Sequence, residues 1–447
     1  MNISFQDHKF LVNNTMRNVS HVVKLNLCIG CGICEVACPN NAIKMVFDIK
    51  KWGVPVPIVN EVKCNNCQKC LYVCYGHKLD SMMDLKIFGK HTNSILGNVI
   101  NCYVGYATDK KLRFDSTSGG AITALLCYAL NQGLIDGAIV THVEAGNPPK
   151  IKAFLATTTD EIRQAVGSKY CPVSFADAFK KMESSKSYAV VGLPCHIYSI
   201  RKLAESNKKV RETISLFFGI LCGGMPDFFG TLYILRKCRL EEKYIEELEY
   251  RGGGWPGRFL VKARINKDKI AKVQAPYPEY WYDAFGFFIP HRCTLCNDGF
   301  NWFSDASFGD AWLPELKKVD NMGTSLIITR TPIGEKLVRS AVENGVIQVS
   351  PVSSLDAMKA QTGLVHFKFS TIIARVNLCK KLKKALPLAD IVYGEPVNFK
   401  DYLVGLWFYF GNSLAHKRKF WWLFNAYATI NSFLNAAKIC LNRYLKI

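Results

Sequence analysis

Two cysteine runs near the N-terminus restrict this chain more than any other feature it carries. Cys28, Cys31, Cys34 and Cys38 are spaced C-x2-C-x2-C-x3-C and followed by Pro39, and Cys64, Cys67, Cys70 and Cys74 repeat that spacing. Two copies of one arrangement are hard to obtain by chance. Thiolate sulfur is a soft donor, and two-residue gaps let one short loop present three sulfurs to one centre. Gly30 and Gly32 relieve backbone crowding where such a loop must curl. The second copy has no glycine between its first three cysteines, and Tyr75 takes the place of the proline.

This is the spacing of bacterial ferredoxins, in which three close thiolates hold one [4Fe–4S] cube and the fourth crosses to the other. It assigns Cys28, Cys31, Cys34 and Cys74 to one cluster, and Cys64, Cys67, Cys70 and Cys38 to a second. Zinc usually takes two C-x2-C pairs across a longer gap. A disulfide framework suits a short secreted chain, whereas this one has 447 residues and opens MNISFQDHKF, without an apolar signal segment. Ligand cysteines in a reducing cytoplasm are the expectation.

With 49% hydrophobic residues the chain can fill the cores of two or three domains. Its formal charge of +21 favours acidic partners: a phosphorylated cofactor, an anionic membrane face, or an acidic electron-carrier protein such as ferredoxin. No helix-turn-helix, RNP-like or zinc-finger signature accompanies the charge, so nucleic acid is not expected. There is no run of eighteen apolar residues to span a membrane; Tyr402 to Gly411 is apolar but only ten residues long.

The texture divides the chain into a two-cluster ferredoxin domain over 1–90, an α/β domain over 91–345, and a basic, aromatic, mainly helical region over 346–447. Pro55 and Pro57 with alternating valines predict a short edge strand between the cysteine runs. Beyond residue 95, a helix is expected after Ser118, Gly119 and Gly120, ended by Gly133. Strands follow at 137–143 and 151–157, a helix capped by Asp160 and running to Val166, a helix over 175–182, a strand at 188–192, a helix over 195–204, and an apolar strand ending at Cys222. The alternation predicts an α/β fold, α+β over the whole chain, with a parallel or mixed sheet. After the basic KLKKALP linker, Lys417, Arg418 and Lys419 stand beside Trp421 and Trp422. Tyr427, Ile430, Leu434, Ala437, Leu441 and Leu445 then step at helical spacing. That helix packs on the protein's own core or lies on a membrane interface, at the inner face, as a peripheral contact.

Ten cysteines remain outside the ferredoxin pattern. Cys195 in VGLPCH, Cys222 in GILCGGMP, and Cys293 and Cys296 in HRCTLCND together form a third [4Fe–4S] site, a zinc site, or ordinary buried cysteines. Cys127, Cys238 and Cys440 lie in apolar helical patterns and read as core. Clusters carry one electron at a time, so a relay serving organic substrates needs a converter, most often a flavin. The Ser118, Gly119, Gly120 turn offers backbone N–H groups at a helix start for dinucleotide phosphates. Lys169 in GSKYCP adds charge to a phosphate or a reduced flavin, or is a solvated loop lysine.

The ordered series STSGGAIT, GSKYCP, VGLPCH, YRGGGWPG, CTLCND and SFGDAW behind the ferredoxin module resembles the coenzyme F420 hydrogenase/dehydrogenase beta-subunit family, over residues 25 to 340. The resemblance implies an α/β domain that binds FAD beside a [4Fe–4S] cluster and exchanges electrons with a two-electron partner. That partner is the deazaflavin F420 in several members; relatives reduce chlorophyll derivatives or serve sulfite and glutamate chemistry. By motif, Ser118, Gly119, Gly120, Thr123, Ser168, Lys169, Gly192 and Pro194 would contact FAD, and Asp310 would help close the site. His196 departs from the glutamine expected after the GxPC motif. It reads as a proton donor to a reduced product or as a polar packing residue, and is the candidate catalytic group. The expected activity is an iron–sulfur flavin-dependent oxidoreductase acting on F420 or an anionic organic substrate, with a role in polysaccharide biosynthesis. The alternative is a non-catalytic relay or docking subunit of a larger redox complex at a membrane.

Overall fold

The computed structural model describes residues 2–4, 16–48, 51–92, 94–144, 150–266, 269–277, 280–281, 285–389, 391–393 and 398–427. The helix expected beyond Tyr427, with Cys440, lies outside them.

The two cysteine runs build equivalent backbone. Each leads into a one-turn helix, Ile33–Val36 or Lys69–Tyr72. Gly30 and Gly32 hold φ of 80° and 78°; their counterparts Asn66 and Gln68 both hold 58°. The second copy thus adopts the left-handed conformation without glycine. In the first copy space demands glycine as well: a Cβ on Gly32 would lie 2.1 Å from Ser174 Oγ, and one on Gly30 2.8 Å from Pro55 Cδ. Between the runs, β1 (Ile43–Val46) and β2 (Val56–Val59) form an antiparallel ladder.

The centre of the molecule is an eight-stranded mixed sheet. Its strands are β3 (Asn101–Ala107), β4 (Gly137–Glu144), β5 (Lys150–Ala156), β6 (Tyr188–Gly192) and β7 (Ile214–Ile220), followed after an excursion by β11 (Ala306–Asp310), β12 (Ser325–Thr329) and β13 (Ile347–Pro351). The order is β13-β3-β12-β11-β7-β6-β4-β5. β4, β6, β7 and β11 run parallel in the middle, and antiparallel strands flank them. The middle strands read as nearly continuous apolar runs because both faces are covered. On one face lie α1 (Ala121–Asn131) and, later in the chain, Pro332–Glu343. The other face receives α2 (Pro194–Ser206), α3 (Phe228–Lys237) and the ferredoxin module.

The excursion between β7 and β11 is an antiparallel sheet of β8 (Ile245–Gly252), β9 (Arg258–Asn266) and β10 (Lys269–Pro276), none of which is among the strands expected from the sequence. A partial signal for it is present: Val261 and Ala263 are buried and alternate with Lys262 and Arg264, although Leu260 beside Phe259 is buried too. One cap is corrected. Helix Thr159–Gln164 is capped by Thr158, not Asp160, because the Thr158 hydroxyl accepts from Glu161 N–H while the Glu161 carboxylate accepts from Thr158 N–H. The apolar stretch Tyr402–Gly411 falls within helix Phe399–Ala415, and no described helix is long and apolar enough to cross a membrane.

Candidate functional site

Every central parallel strand ends at the same edge of the sheet, where ligands of open α/β sheets bind. There a cleft of about 930 Å³ opens, at the upper end of the roughly 300–1,000 Å³ usual for ligand pockets. Ser118, Gly120, Thr123, Ser168, Lys169, Gly192, His196 and Asp310 line it, joined by Cys222; Gly119 and Pro194 do not line it, although each adjoins a lining residue in the chain. Residues spread over almost two hundred positions of sequence therefore meet in one place.

The Ser118–Gly120 turn begins α1 with φ of 85° at Gly119 and 76° at Gly120. It is pressed against the start of β12: Ser325 Oγ donates to Ser118 O, and a Cβ on Gly119 would lie 3.0 Å from both Gly323 O and Ser325 N. Thr117 and Ser168 share a hydroxyl hydrogen bond of 2.9 Å.

His196 is 4% exposed and stacks on Phe175 at 4.4 Å. It sits in the first turn of α2, and its Nδ1 accepts from the Leu193 N–H at 3.3 Å, the reach-back that a glutamine makes in a capping box. Burial lowers its pKa to about 4, so the ring is neutral at neutral pH. The Leu193 contact assigns the remaining proton to Nε2. Nε2 is buried and makes no well-formed protein hydrogen bond, although the Val173 backbone lies near enough to favour the charged ring.

Two motif residues have partners that the sequence does not show. Lys169 is no solvated loop lysine: its Nζ donates to Ala165 O, Val166 O and Gly167 O at 2.6, 2.8 and 2.9 Å. Burial pulls this ammonium down to about 7, while three carbonyls just past a helix C-terminus hold its proton. Asp310 accepts a two-pronged contact from Arg251 at 2.8 and 2.7 Å and a third bond from Trp255 Nε1 at 2.7 Å. Its charge is thus spent on Arg251, a buried residue that belongs to the YRGGGWPG motif yet is not distinguished by it. Arg251 lies 4.2 Å from the Tyr277 ring. Tyr170, Tyr277 and Trp312 continue as near-parallel rings about 6 Å apart, forming an aromatic wall.

Beneath the cleft four of the remaining cysteines gather: Cys195, Cys222, Cys293 and Cys296. Burial pushes the Cys195 thiol well up, and its strongest further neighbours are Cys293, Cys222, Cys31 and Cys296. Cys34 is raised likewise by burial and then by Cys31, Cys28, Cys74 and Cys70. Cys70 in turn feels Cys67 and Cys38. The cysteines thus form three neighbouring groups in a row from the exposed Cys67 to the cleft. Cys127 is buried, as expected of a core residue, while Cys238 is part-exposed.

A cysteine module feeding a second cysteine set beneath a ligand cleft is the layout of an iron–sulfur electron-transfer protein. The chain belongs to the coenzyme F420 hydrogenase/dehydrogenase beta-subunit family, whose N-terminal and C-terminal models match residues 102–180 and 185–354, and a 4Fe–4S dicluster domain matches residues 27–75. An uncharacterised protein of Methanocaldococcus jannaschii is 26% identical over 353 residues, covering 75% of this chain and 92% of the relative. The coenzyme F420 hydrogenase beta subunit of Methanothermobacter thermautotrophicus is 28% identical over 275 residues, 58% of this chain and 88% of that one. A chain of the F420-reducing [NiFe] hydrogenase complex from Methanosarcina barkeri shares the fold, with a TM-score of 0.51 and 22% identity over 67% of this chain and 99% of that one.

Proposed function

We propose that the chain is an iron–sulfur flavoprotein oxidoreductase that takes single electrons from a ferredoxin-type carrier protein, passes them through three [4Fe–4S] clusters, and delivers them in pairs at FAD to a small two-electron substrate. The observation that carries the reading is the row of three cysteine groups running from the surface to the cleft. The compact C-x2-C-x2-C-x3-C spacing of both N-terminal runs suits a cube better than zinc. The cleft also fits a flavin dinucleotide: its volume is ample, a positive-φ glycine pair opens α1 at its edge, and the buried Nε2–H of His196 lacks a well-formed partner.

FAD bound there supplies the change from one-electron to two-electron chemistry. The chain's own residues do the rest. Gly119 and Gly120 leave backbone N–H groups free of side-chain cover for a phosphate. The Arg251–Asp310 contact braces the aromatic wall that keeps water from the reacting atoms. His196 offers one neutral N–H donor, whose proton Nδ1 cannot share while it accepts from Leu193. The substrate is coenzyme F420, which the named relatives support, or another anionic organic molecule, as in polysaccharide chemistry; the chain's +21 charge suits an acidic donor and an anionic substrate alike. Anaerobic purification followed by iron, flavin and metal analysis tests this: about twelve irons and one FAD per chain are expected. About eight irons would leave only the ferredoxin pair, and zinc without a chromophore would overturn the reading.

A second reading concerns where the chain works. On helix Phe399–Ala415, Phe399, Leu403, Trp407 and Phe410 form one exposed apolar stripe, with exposed Trp422 and the cations Lys417, Arg418 and Lys419 nearby. Apolar surface beside positive charge fits an anionic membrane surface, on which the chain would dock as a relay subunit. Flotation with anionic but not neutral liposomes is expected, and its loss in Trp407→Ser. Equal flotation with both liposome types, or none, would remove this reading.

A further inference from the structure

The third cysteine group differs from the other two in what surrounds it. The neighbours acting most strongly on Cys28, Cys34 and Cys74 after burial include other cysteines, and no cation stands among them. Around Cys195, Cys222, Cys293 and Cys296 the chain instead buries the cations Lys368, Arg292 and Arg375 and a phenol, opposed by one buried carboxylate, Asp298. Lys368 is 1% exposed, and its buried ammonium neighbours Cys296, Cys222 and Cys293. It stands on His366–Ser370, a single wide turn with i→i+5 hydrogen bonding, of the kind that marks functional sites. Arg292 is fully buried; its Nε donates to Tyr75 O at 3.2 Å, yet both terminal nitrogens lack any protein partner. A buried guanidinium left half unpaired is costly unless an anionic group faces it. Tyr75, the residue in the proline position of the second cysteine run, lies 4.4 Å under that guanidinium and places its hydroxyl 3.1 Å from Cys296 Sγ.

We propose that Lys368, Arg292 and Tyr75 form a cationic seat that raises the reduction potential of the third cluster above those of the two N-terminal clusters, so that electrons collect there before they reach the flavin. The inference rests on the reading that Cys195, Cys222, Cys293 and Cys296 hold a [4Fe–4S] cluster. Reduction adds one negative charge to such a cluster, and fixed cations stabilise the reduced form more than the oxidised one. A phenol donating to a ligand sulfur acts in the same direction. The step balances as one electron leaving a reduced N-terminal cluster and entering the oxidised third; no bond or proton changes hands. Tyr75 also ties the two levels together, since it directly follows Cys74 in the chain.

Redox titration of the full-length protein, followed by electron paramagnetic resonance with iron counted in each sample, tests the proposal. Three reducible clusters are expected, one titrating above the others. In Lys368→Met that potential should fall by at least about 59 mV, a tenfold change for a one-electron couple. Lys368→Arg should restore most of it, and Tyr75→Phe should lower it less. Loss of the third signal in Lys368→Met, with retention in Lys368→Arg, supports the seat equally. A wild-type protein with about eight irons and two signals would overturn the cluster reading itself. Three signals whose potentials stay unchanged in both Lys368→Met and Tyr75→Phe would leave the cluster standing and overturn the seat.

Discussion

At the scale of single residues, His196 shows how one side chain serves structure and site together. Its Nδ1 performs the capping contact a glutamine would make, while Nε2 is buried near the Val173 backbone. The pH consequence follows from its burial. The folded ring titrates near about 4 against 6.5 for an ordinary histidine, so the unfolded chain binds a proton that the folded one refuses. Stability from the neutral ring is complete above 6.5 and is lost as pH falls through that window, by roughly 2 kcal/mol at about pH 5. The thermal midpoint of His196→Gln should therefore fall less between about pH 7 and about pH 5 than that of the wild type. Parallel curves would show that His196 does not titrate as its burial requires. Residue types are legible in the sequence; pairings are not. Motifs place Lys169 and Asp310 at the site, but no local pattern shows that the first ends on three carbonyls and the second on Arg251. Lys368 lies in no motif at all, and only the fold carries it to Cys296.

At the scale of elements, α1 with its glycine turn is the part on which the proposed flavin site depends. Apolar spacing and Gly133 make the helix legible, and strand β6 has the ends expected of it, because short-range periodicity carries both. The antiparallel excursion β8–β10 is hard to see in the sequence because its alternation is broken, by register shifts in both ladders and by buried Leu260 between Phe259 and Val261. The α1 turn also allows a sharp test. Gly119 holds φ of 85°, and backbone atoms lie 3.0 Å from where an added methyl would stand, so Gly119→Ala combines backbone strain of about 1–2 kcal/mol with a displaced turn. FAD content should drop while iron content holds. Full retention of FAD would move the dinucleotide phosphates away from α1.

At the scale of the whole molecule, the ferredoxin module is built into the α/β body rather than hung beside it. Phe175 N–H donates to Cys31 O at 2.9 Å, Lys202 reaches Asp80 at 2.9 Å, and the Tyr198 hydroxyl donates to Lys78 O at 3.1 Å. Ile372, Val376 and Tyr409 from the C-terminal helices share a core with Cys34 and Cys70. Long-range contacts of this kind leave no trace in spacing or composition, which is why the texture of the sequence divides the chain where its packing is continuous. The same geometry decides which cysteine isolates electron entry. Cys31 is buried and is among the neighbours of Cys195, so Cys31→Ser disturbs the middle and third groups together. Cys67 is exposed at the outer end of the row. Cys67→Ser should leave FAD bound, the third cluster visible and the flavin reducible by dithionite, while reduction by a reduced ferredoxin falls to a small fraction of the wild-type rate. If ferredoxin reduced the flavin of Cys67→Ser at the wild-type rate, electrons would enter elsewhere. If dithionite reduction failed to the same extent, the outer run would be holding the fold rather than admitting electrons.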